Sequence, residues 1–440
     1  MKKLLSVMLA VLLLVSACFA FASCANNNDP ANGSDGSKES GSGSNGNTPT
    51  PSADFKLGVI LLHDEKSTYD LNFINGVKAA AEALGLKENQ VIYKRNIPES
   101  NVCYETALDL VDEGCKVIFA DSFGHESHIL KAAKENPDVQ FCHATGTQAA
   151  TANLKNFHNA FASIYEGRYL AGVAAGLKLN EMIESGKITA DQAKMGYVGA
   201  FTYAEVISGY TSFYLGAKSV CPSVTMEVQF TGSWYDEATE KSTALSLINN
   251  GCVLISQHAD SMGAPTACED KKVPNVSYNG STKEHCPNTF IVSSRIDWAP
   301  YLKYICEQTM NGKEIDTNWT GTIGTDSVVL TDVNETAAAA GTAEKLAEVK
   351  KGLLDGTIKV FDTKTFTVTV VKEGDSKLNA NATVDAEGHL TAYLADVDGD
   401  YVGDTDVIVD GAFAESKFRS APYFDVQIDG IKLLNVNFGD

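Results

Sequence analysis

Most of the short apolar runs in this chain end in side chains able to hydrogen-bond or to stack. The first is followed by His63, Asp64, Ser67, Thr68 and Tyr69. Later runs lead to Asp121, Ser122, Phe123 and Gly124, and to His143, Ala144, Thr145 and Gly146. A second series leads to Phe201, Thr202, Tyr203 and Glu205, then Ser233, Trp234, Tyr235 and Asp236, then Gln257, His258, Ala259, Asp260 and Ser261. Asn279 and Ser281, and finally Arg295, Asp297 and Trp298, complete the set. Flat apolar faces with a few oriented donors and acceptors suit a planar, polar small molecule such as a nucleobase or nucleoside. Phe123, Phe201 and Trp234 are expected to wall such a ring, and Tyr69, Asp260 and Asn279 to supply polar contacts. A carboxylate matches the N–H donors on the edge of such a ring, where a charged hydrogen bond contributes roughly 1.5–3 kcal/mol. Sugar sites and thiamine- or flavin-like rings draw on the same residue types, so composition leaves them open. A single aromatic at a strand end usually packs a lobe; the weight lies in the set.

Catalysis is poorly supported. His258 and Asp260 are two residues apart on a loop and mark no nucleophile, and GxSxG, HExxH and GxxxxGK[ST] are all missing. Asp396-Val397-Asp398-Gly399-Asp400 has the alternating carboxylates of a calcium loop, but Tyr401 and Val407 stand where an EF-hand needs Gly and Glu. An Asx-rich turn is expected there. No catalytic residue, metal or cofactor is therefore assigned.

These residues need a scaffold, and the chain alternates strand and helix patterns. Strand-like runs fall at Leu57–Leu62, Val91–Lys94, Val117–Ala120 and Val139–His143, then at Met195–Val198, Val224–Phe230, Val253–Ser256, Val276–Tyr278 and Phe290–Ser293. Helical patterns separate many of them, which predicts parallel sheets covered on both faces. The polar pause at Asn180–Lys194 divides the pattern. The expectation is an α/β fold of two doubly wound parallel sheets: lobe one at 55–180 with 296–325 returning to it, lobe two at 194–293 with 332–361. Residues 362–440 are expected to form a β-rich C-terminal extension, with runs at Phe366–Val371, Thr391–Leu394 and Val426–Ile428. Ligands of parallel α/β sheets sit outside the carboxyl ends of the strands, where the residues above gather.

At the N-terminus, Lys2 and Lys3 precede an apolar run from Leu4 to Ala22. This reads as a signal peptide over 1–24, with a Gly/Ser/Asn tether over 25–54. Cys24 is the expected lipid-attachment residue, with Cys18 the alternative. The protein is then lipid-anchored at the cell membrane and faces outside the cytoplasm. The formal charge of −21 argues against nucleic acid and polybasic membrane contacts. Eight cysteines follow the leader without metal-ligand spacing. They are expected mostly as free thiols, Cys268–Cys286 being the pair closest to a candidate bridge.

The ordered segments His143–Gly146, Tyr165-Glu166-Gly167-Arg168-Tyr169-Leu170-Ala171-Gly172, Gly196–Phe201, Ser233–Asp236 and Gln257–Ser261 resemble the basic-membrane-protein family of substrate-binding lipoproteins. That resemblance covers about Lys56 to Phe361. It implies a type I two-lobed binding protein that closes on a purine base or nucleoside and hands it to an ABC permease. Nucleoside-binding relatives carry Asp where Asn279 stands and Lys near Arg295, and purine binders often carry Trp in place of Ser67. A free base is therefore as compatible as a nucleoside. A surface sensor or adhesin working through the β-rich tail is the rival reading.

Overall fold

Near-continuous apolar tetrapeptides bury on both faces only inside a covered parallel sheet. In the computed structural model, which describes residues 51–370, 379–400 and 402–437, β1 (Leu57–Ile60) is such a strand and is buried at every position. Then follow β2 (Val91–Lys94), β3 (Val117–Ala120), β4 (Gln140–Ala144) and β5 (Phe157–Ala162). Helices α1 (Thr68–Leu84), α2 (Asn101–Asp112), α3 (Glu126–Glu135) and the short α4 (Ala149–Ala152) connect them. Ser67 caps α1 by accepting from the Asp70 N–H, and Gly85 ends the helix at φ 68°. Such a cap contributes about 1 kcal/mol.

The chain continues through α5 (Ile164–Glu184), β6 (Lys194–Gly199), α6 (Ala204–Val220), β7 (Thr225–Phe230) and α7 (Glu237–Asn249). Next come β8 (Leu254–Gln257), α8 (Gly263–Lys271), β9 (Asn275–Tyr278) and β10 (Phe290–Ile296). Then come α9 (Ala299–Met310), β11 (Asn318–Gly321), β12 (Val328–Leu330) and α10 (Thr342–Leu354). The tail holds β13 (Ala382–Val384), β14 (Leu390–Ala395), β15 (Thr405–Asp406), β16 (Ile408–Val409), β17 (Ala412–Phe413) and β18 (Ile431–Leu433).

One sheet has the order β11-β5-β4-β3-β1-β2 and is parallel throughout. The other is β12-β10-β9-β8-β6-β7-β18, parallel except where β12 meets β10. Each contains the order 2-1-3-4-5, so each has a switch point beside its first strand. The chain crosses between lobes after β5, after β10 and after β11. The Glu166 carboxylate ties two of these crossings by accepting from the Ile323 N–H at 2.8 Å.

Several expectations need correction. Helix α5 is expected in lobe one, within 55–180, but it packs on α6, β10 and β12 in lobe two. The polar pause near Asn180 is thus the end of a lobe-two helix, and the joint lies near Ser163. Helix α5 reaches α6 through small residues: a Cβ on Gly172 would strike the Phe213 carbonyl, and one on Gly216 the Tyr169 carbonyl. Strand β5 is absent from the expected set because His158 and Asn159 break its apolar run. Both are buried and bonded: His158 Nε2 to Gln140 Oε1 at 2.8 Å, and Asn159 Nδ2 to Ser420 Oγ at 2.9 Å. Helix α8 is likewise unexpected; its Pro265 sits in the first turn, where an N–H has no helical partner anyway.

The tail differs most. Of its expected runs only Thr391–Leu394 is a strand, inside β14, while Phe366–Val370 and Val426–Ile428 carry none. Val371 lies outside the described residues. Nor is the tail a separate appendage. Strand β18 completes lobe two's sheet, and Ser420 bonds Asn159 and Asn318 of lobe one. The side chains of Asp396, Asp398 and Asp400 come within 4.8 Å of one another, and Asp396 Oδ1 accepts from the N–H groups of Asp398 and Gly399, as an Asx turn does. All eight cysteines from Cys103 to Cys306 are buried free thiols, so Cys268 and Cys286 are not bridged. No helix among the described residues is long and apolar enough to cross a membrane. Cys18, Cys24 and the leader lie outside the described residues.

Candidate functional site

In open α/β sheets the crevice outside the carboxyl ends at the switch point is where small molecules bind. In lobe one that point falls between β1 and β3, whose following loops carry His63 to Tyr69 and Asp121 to Phe123. In lobe two it falls between β6 and β8, followed by Phe201 to Glu205 and His258 to Ser261. The two crevices face each other across a shared cavity. His63, Tyr69, Asp70, Ser122, Phe123 and Thr145 line it from one side, and Glu205, Trp234, His258, Asp260 and Tyr278 from the other.

The lobes already touch beside it. The Thr68 N–H donates to the Asp260 carbonyl at 3.0 Å, and the Thr68 hydroxyl to the same oxygen at 3.2 Å. This is a closed cleft. A water-sized sphere can be centred in only about 20 Å³ of it, little beyond the roughly 10–15 Å³ that seats one water.

On lobe one, Tyr69 at the start of α1 donates its hydroxyl to the Asp121 carbonyl at 2.8 Å. Asp70, one residue on, accepts from the His63 N–H at 2.7 Å and lies 3.5 Å from its ring nitrogen. Burial pushes Asp70 up, but hydrogen bonds from His63 and Ser67 outweigh it and hold the carboxyl below its usual value. Asp121 beside it goes the other way: burial, then the Asp70 charge, raise it far above the carboxylate range. Thr145, at the end of β4, sits at φ 66°. A β-branched residue in that region is strained, and strain of this kind concentrates at working sites.

Four rings meet across the cleft mouth, three of them from lobe two. Phe201 stacks on Tyr203 at 5.1 Å and 18°, Trp234 meets Phe201 edge-on at 5.1 Å, and Phe123 of lobe one reaches Tyr203 at 5.6 Å. His258 links Glu205, 3.3 Å from Nε2, to the Tyr197 hydroxyl, 3.2 Å from Nδ1. That hydroxyl accepts from the buried Arg168 at 3.0 Å. Burial lowers the His258 pKa against the opposing pull of Glu205. Asp260 is raised far above the carboxylate range, first by burial and then by the charges of Glu240, Asp70 and Glu205. The Asn279 amide donates to it at 3.4 Å.

Of the six residues expected at the ligand, Tyr69, Phe123, Trp234 and Asp260 line the cavity. Phe201 and Asn279 stand one step behind. Phe201 backs Tyr203 and Trp234, and Asn279, buried at φ 65°, orients Asp260. Trp298 is deep in lobe one, stacked on Phe73 at 4.3 Å, and takes no part. Arg295 pairs with Asp297 at 3.7 Å outside this cavity. Asp70 and Tyr278 are additions that the sequence does not single out. Asp70 lies inside a helix and Tyr278 ends a strand with its hydroxyl inward, so neither looks like a loop residue.

A family model described as ABC transporter substrate-binding protein, PnrA-like, matches residues 59–364. A purine-binding protein of Brucella abortus is 33% identical over 51% of this chain and 59% of its own length. A putative ABC transporter glucose-binding protein of Haloferax volcanii is 32% identical over 47% of this chain and 49% of its own. An ABC transporter nucleoside-binding protein of Lactococcus lactis is 26% identical over 50% and 56%. The chain thus spans about half the length of these curated relatives. Among solved structures, a solute-binding protein from Conexibacter woesei superposes with TM-score 0.57 at 18% identity, covering 69% of this chain and 98% of that one. One from Aeropyrum pernix does so with TM-score 0.59 at 16% identity, covering 70% and 93%.

Proposed function

Because the chain belongs to the PnrA-like ABC transporter substrate-binding proteins, we propose that it captures a purine base or nucleoside outside the cytoplasm and delivers it to an ABC permease. The observation that carries this reading is the pairing of ring walls with a buried carboxyl. Phe123 and Trp234 border the same cavity as Asp260. Flat ring walls beside a hydrogen-bonding carboxyl suit a planar, polar ring. The carboxyl of Asp260 can accept from a ring N–H when ionised, and donate to a ring nitrogen when protonated. The relatives named for purine and nucleoside binding support the same ligand class.

The family is one of binding proteins, and the cleft suits binding. His258 is held between Glu205 and Tyr197. Attachment through Cys24 would keep the domain near its permease. A Cys24→Ser chain that still partitions with membranes would move the anchor to Cys18.

Titration calorimetry with adenine, guanine, hypoxanthine, their nucleosides and glucose tests the reading. Heat with one or more purines and none with glucose is expected. Glucose is included because of the Haloferax relative, and binding of glucose alone would overturn the purine assignment.

A further inference from the structure

Lobe two's own sheet does not hold its ring-bearing loops unaided. The segment that helps lies at the far end of the chain, beyond the family match at 59–364. Ile431 to Leu433 pair with Met226 to Val228, and the Leu434 N–H donates to the Val228 carbonyl at 2.8 Å. There the backbone ladder stops and side chains take over. Asn435 accepts from the Phe230 N–H at 2.8 Å through Oδ1 and donates to the Phe230 carbonyl at 2.9 Å through Nδ2. One amide side chain thus satisfies both backbone groups at the end of β7. Asn437 then exchanges two bonds with Thr202: the Thr202 N–H donates to the Asn437 carbonyl at 2.5 Å, and the Asn437 N–H to Thr202 Oγ1 at 2.8 Å. Its side chain also covers Gly232, where φ is +78° and a Cβ would collide with it.

Thr202 lies between Phe201 and Tyr203, and Gly232 lies two residues before Trp234. We infer that residues 434–437 are a positioning element of the cleft, which fixes the two loops that carry its aromatic wall. Asn435 and Asn437 touch the backbone of those loops and act on a ligand only through Tyr203 and Trp234. The inference rests on the cleft being the binding site. A segment that merely covered a sheet edge would need the strand pairing alone. It would not need a side-chain clamp on Phe230 or a two-way link to the neighbouring loop.

Full-length Asn435→Ala and Thr202→Val chains test this by hydrogen exchange, resolved by peptide, together with calorimetry. Thr202→Ser and Asn435→Asp serve as conservative partners. Exchange in residues 200–206 and 231–236 should quicken about tenfold or more in both disruptive variants, with β8 and β9 unchanged. Affinity for whichever purine the parent binds should fall about tenfold at an unaltered melting temperature. Thr202→Ser should restore both, and Asn435→Asp, which keeps an acceptor and loses the donor, should fall between. Unchanged exchange in those loops would overturn the inference, whatever the ligand proves to be. Parent-like affinity with loosened loops would also overturn it, as would a loss tracking global melting that the conservative variants fail to reverse. If Asn435→Ala does not fold, Thr202→Val decides alone. A parent that binds no purine defeats the ligand reading but leaves the exchange result to be read.

Discussion

Trp234 and Glu415 differ in what they owe the fold. Trp234 is half-buried, with the Phe201 and Tyr203 rings against it at the cleft mouth. Trp234→Ala should weaken ligand binding by about 1 kcal/mol or more through the lost stacking face. Its melting temperature without ligand should stay near the parent's; calorimetry and thermal melts measure the two effects. Glu415 behaves differently. This tail carboxyl is buried, accepts from Ser208 Oγ at 2.6 Å, and is pushed up to about 7, first by burial. Below about pH 4.5 it is protonated both folded and unfolded and has no effect on stability. As pH rises, the unfolded chain ionises first, so stability drains away until the folded group titrates near 7. Glu415→Gln retains an acceptor for Ser208 and never ionises. It should leave stability near pH 4.5 unchanged and raise it at pH 8 by roughly 1–3 kcal/mol, since each tenfold difference in proton affinity between the folded and unfolded chain is worth about 1.4 kcal/mol. Urea melts at the two pH values measure this; equal effects at both would remove Glu415 as the cause.

At the scale of elements, the contact between α5 and α6 governs how lobe two holds its site, since α6 begins just after Tyr203. Gly216→Ala should cost about 1–3 kcal/mol or more, because the added methyl meets backbone that cannot swing aside. A circular-dichroism melt within a degree of the parent would show the helices free to part. The same pair explains what the sequence could and could not convey. Apolar strands such as Val117–Ala120 and capped helices such as Thr68–Leu84 are legible, because local periodicity and burial agree there. So are the strand-end residues Tyr69, Phe123, Trp234 and Asp260. The lobe to which α5 belongs is not, because Gly172 and Gly176 declare a close approach without naming the partner. Strand β5 is hidden because Asn159 is satisfied by Ser420, far along the chain. Asn279 and Phe201 stand one step further from the cavity than their sequence positions suggest: both lie at strand ends, and only packing separates lining from support.

On the scale of the whole molecule, the Thr68–Asp260 bonds and the small cavity describe a cleft too closed to admit a ring from solution. The empty protein should populate an opened arrangement, and a ligand touching both lobes should favour the closed one, since only that form offers both sets of contacts. Small-angle scattering should therefore report a smaller radius of gyration at saturating ligand. An identical profile with and without ligand would place recognition in a rigid cavity instead. The tail sets a boundary on this movement, because Ser420 bonds Asn159 of one lobe while Ser208 of the other bonds Glu415, five residues earlier.

The pairing of β18 with β7 also gives the protein a history. Strand β7 is made well before its outer partner, residues 431–433. Until then lobe two has a bare strand edge, and its sheet is one strand short. A nascent chain in that condition cannot reach its final form, since distant pairing must wait for both partners. For a chain expected to be threaded across a membrane before it folds, this is an advantage: lobe two's sheet stays incomplete until residues 431–433 have been made. Ribosome-bound chains stopped before residue 431 should be cut readily by protease in lobe two. Full protection of such chains would show that the sheet closes without its final strand.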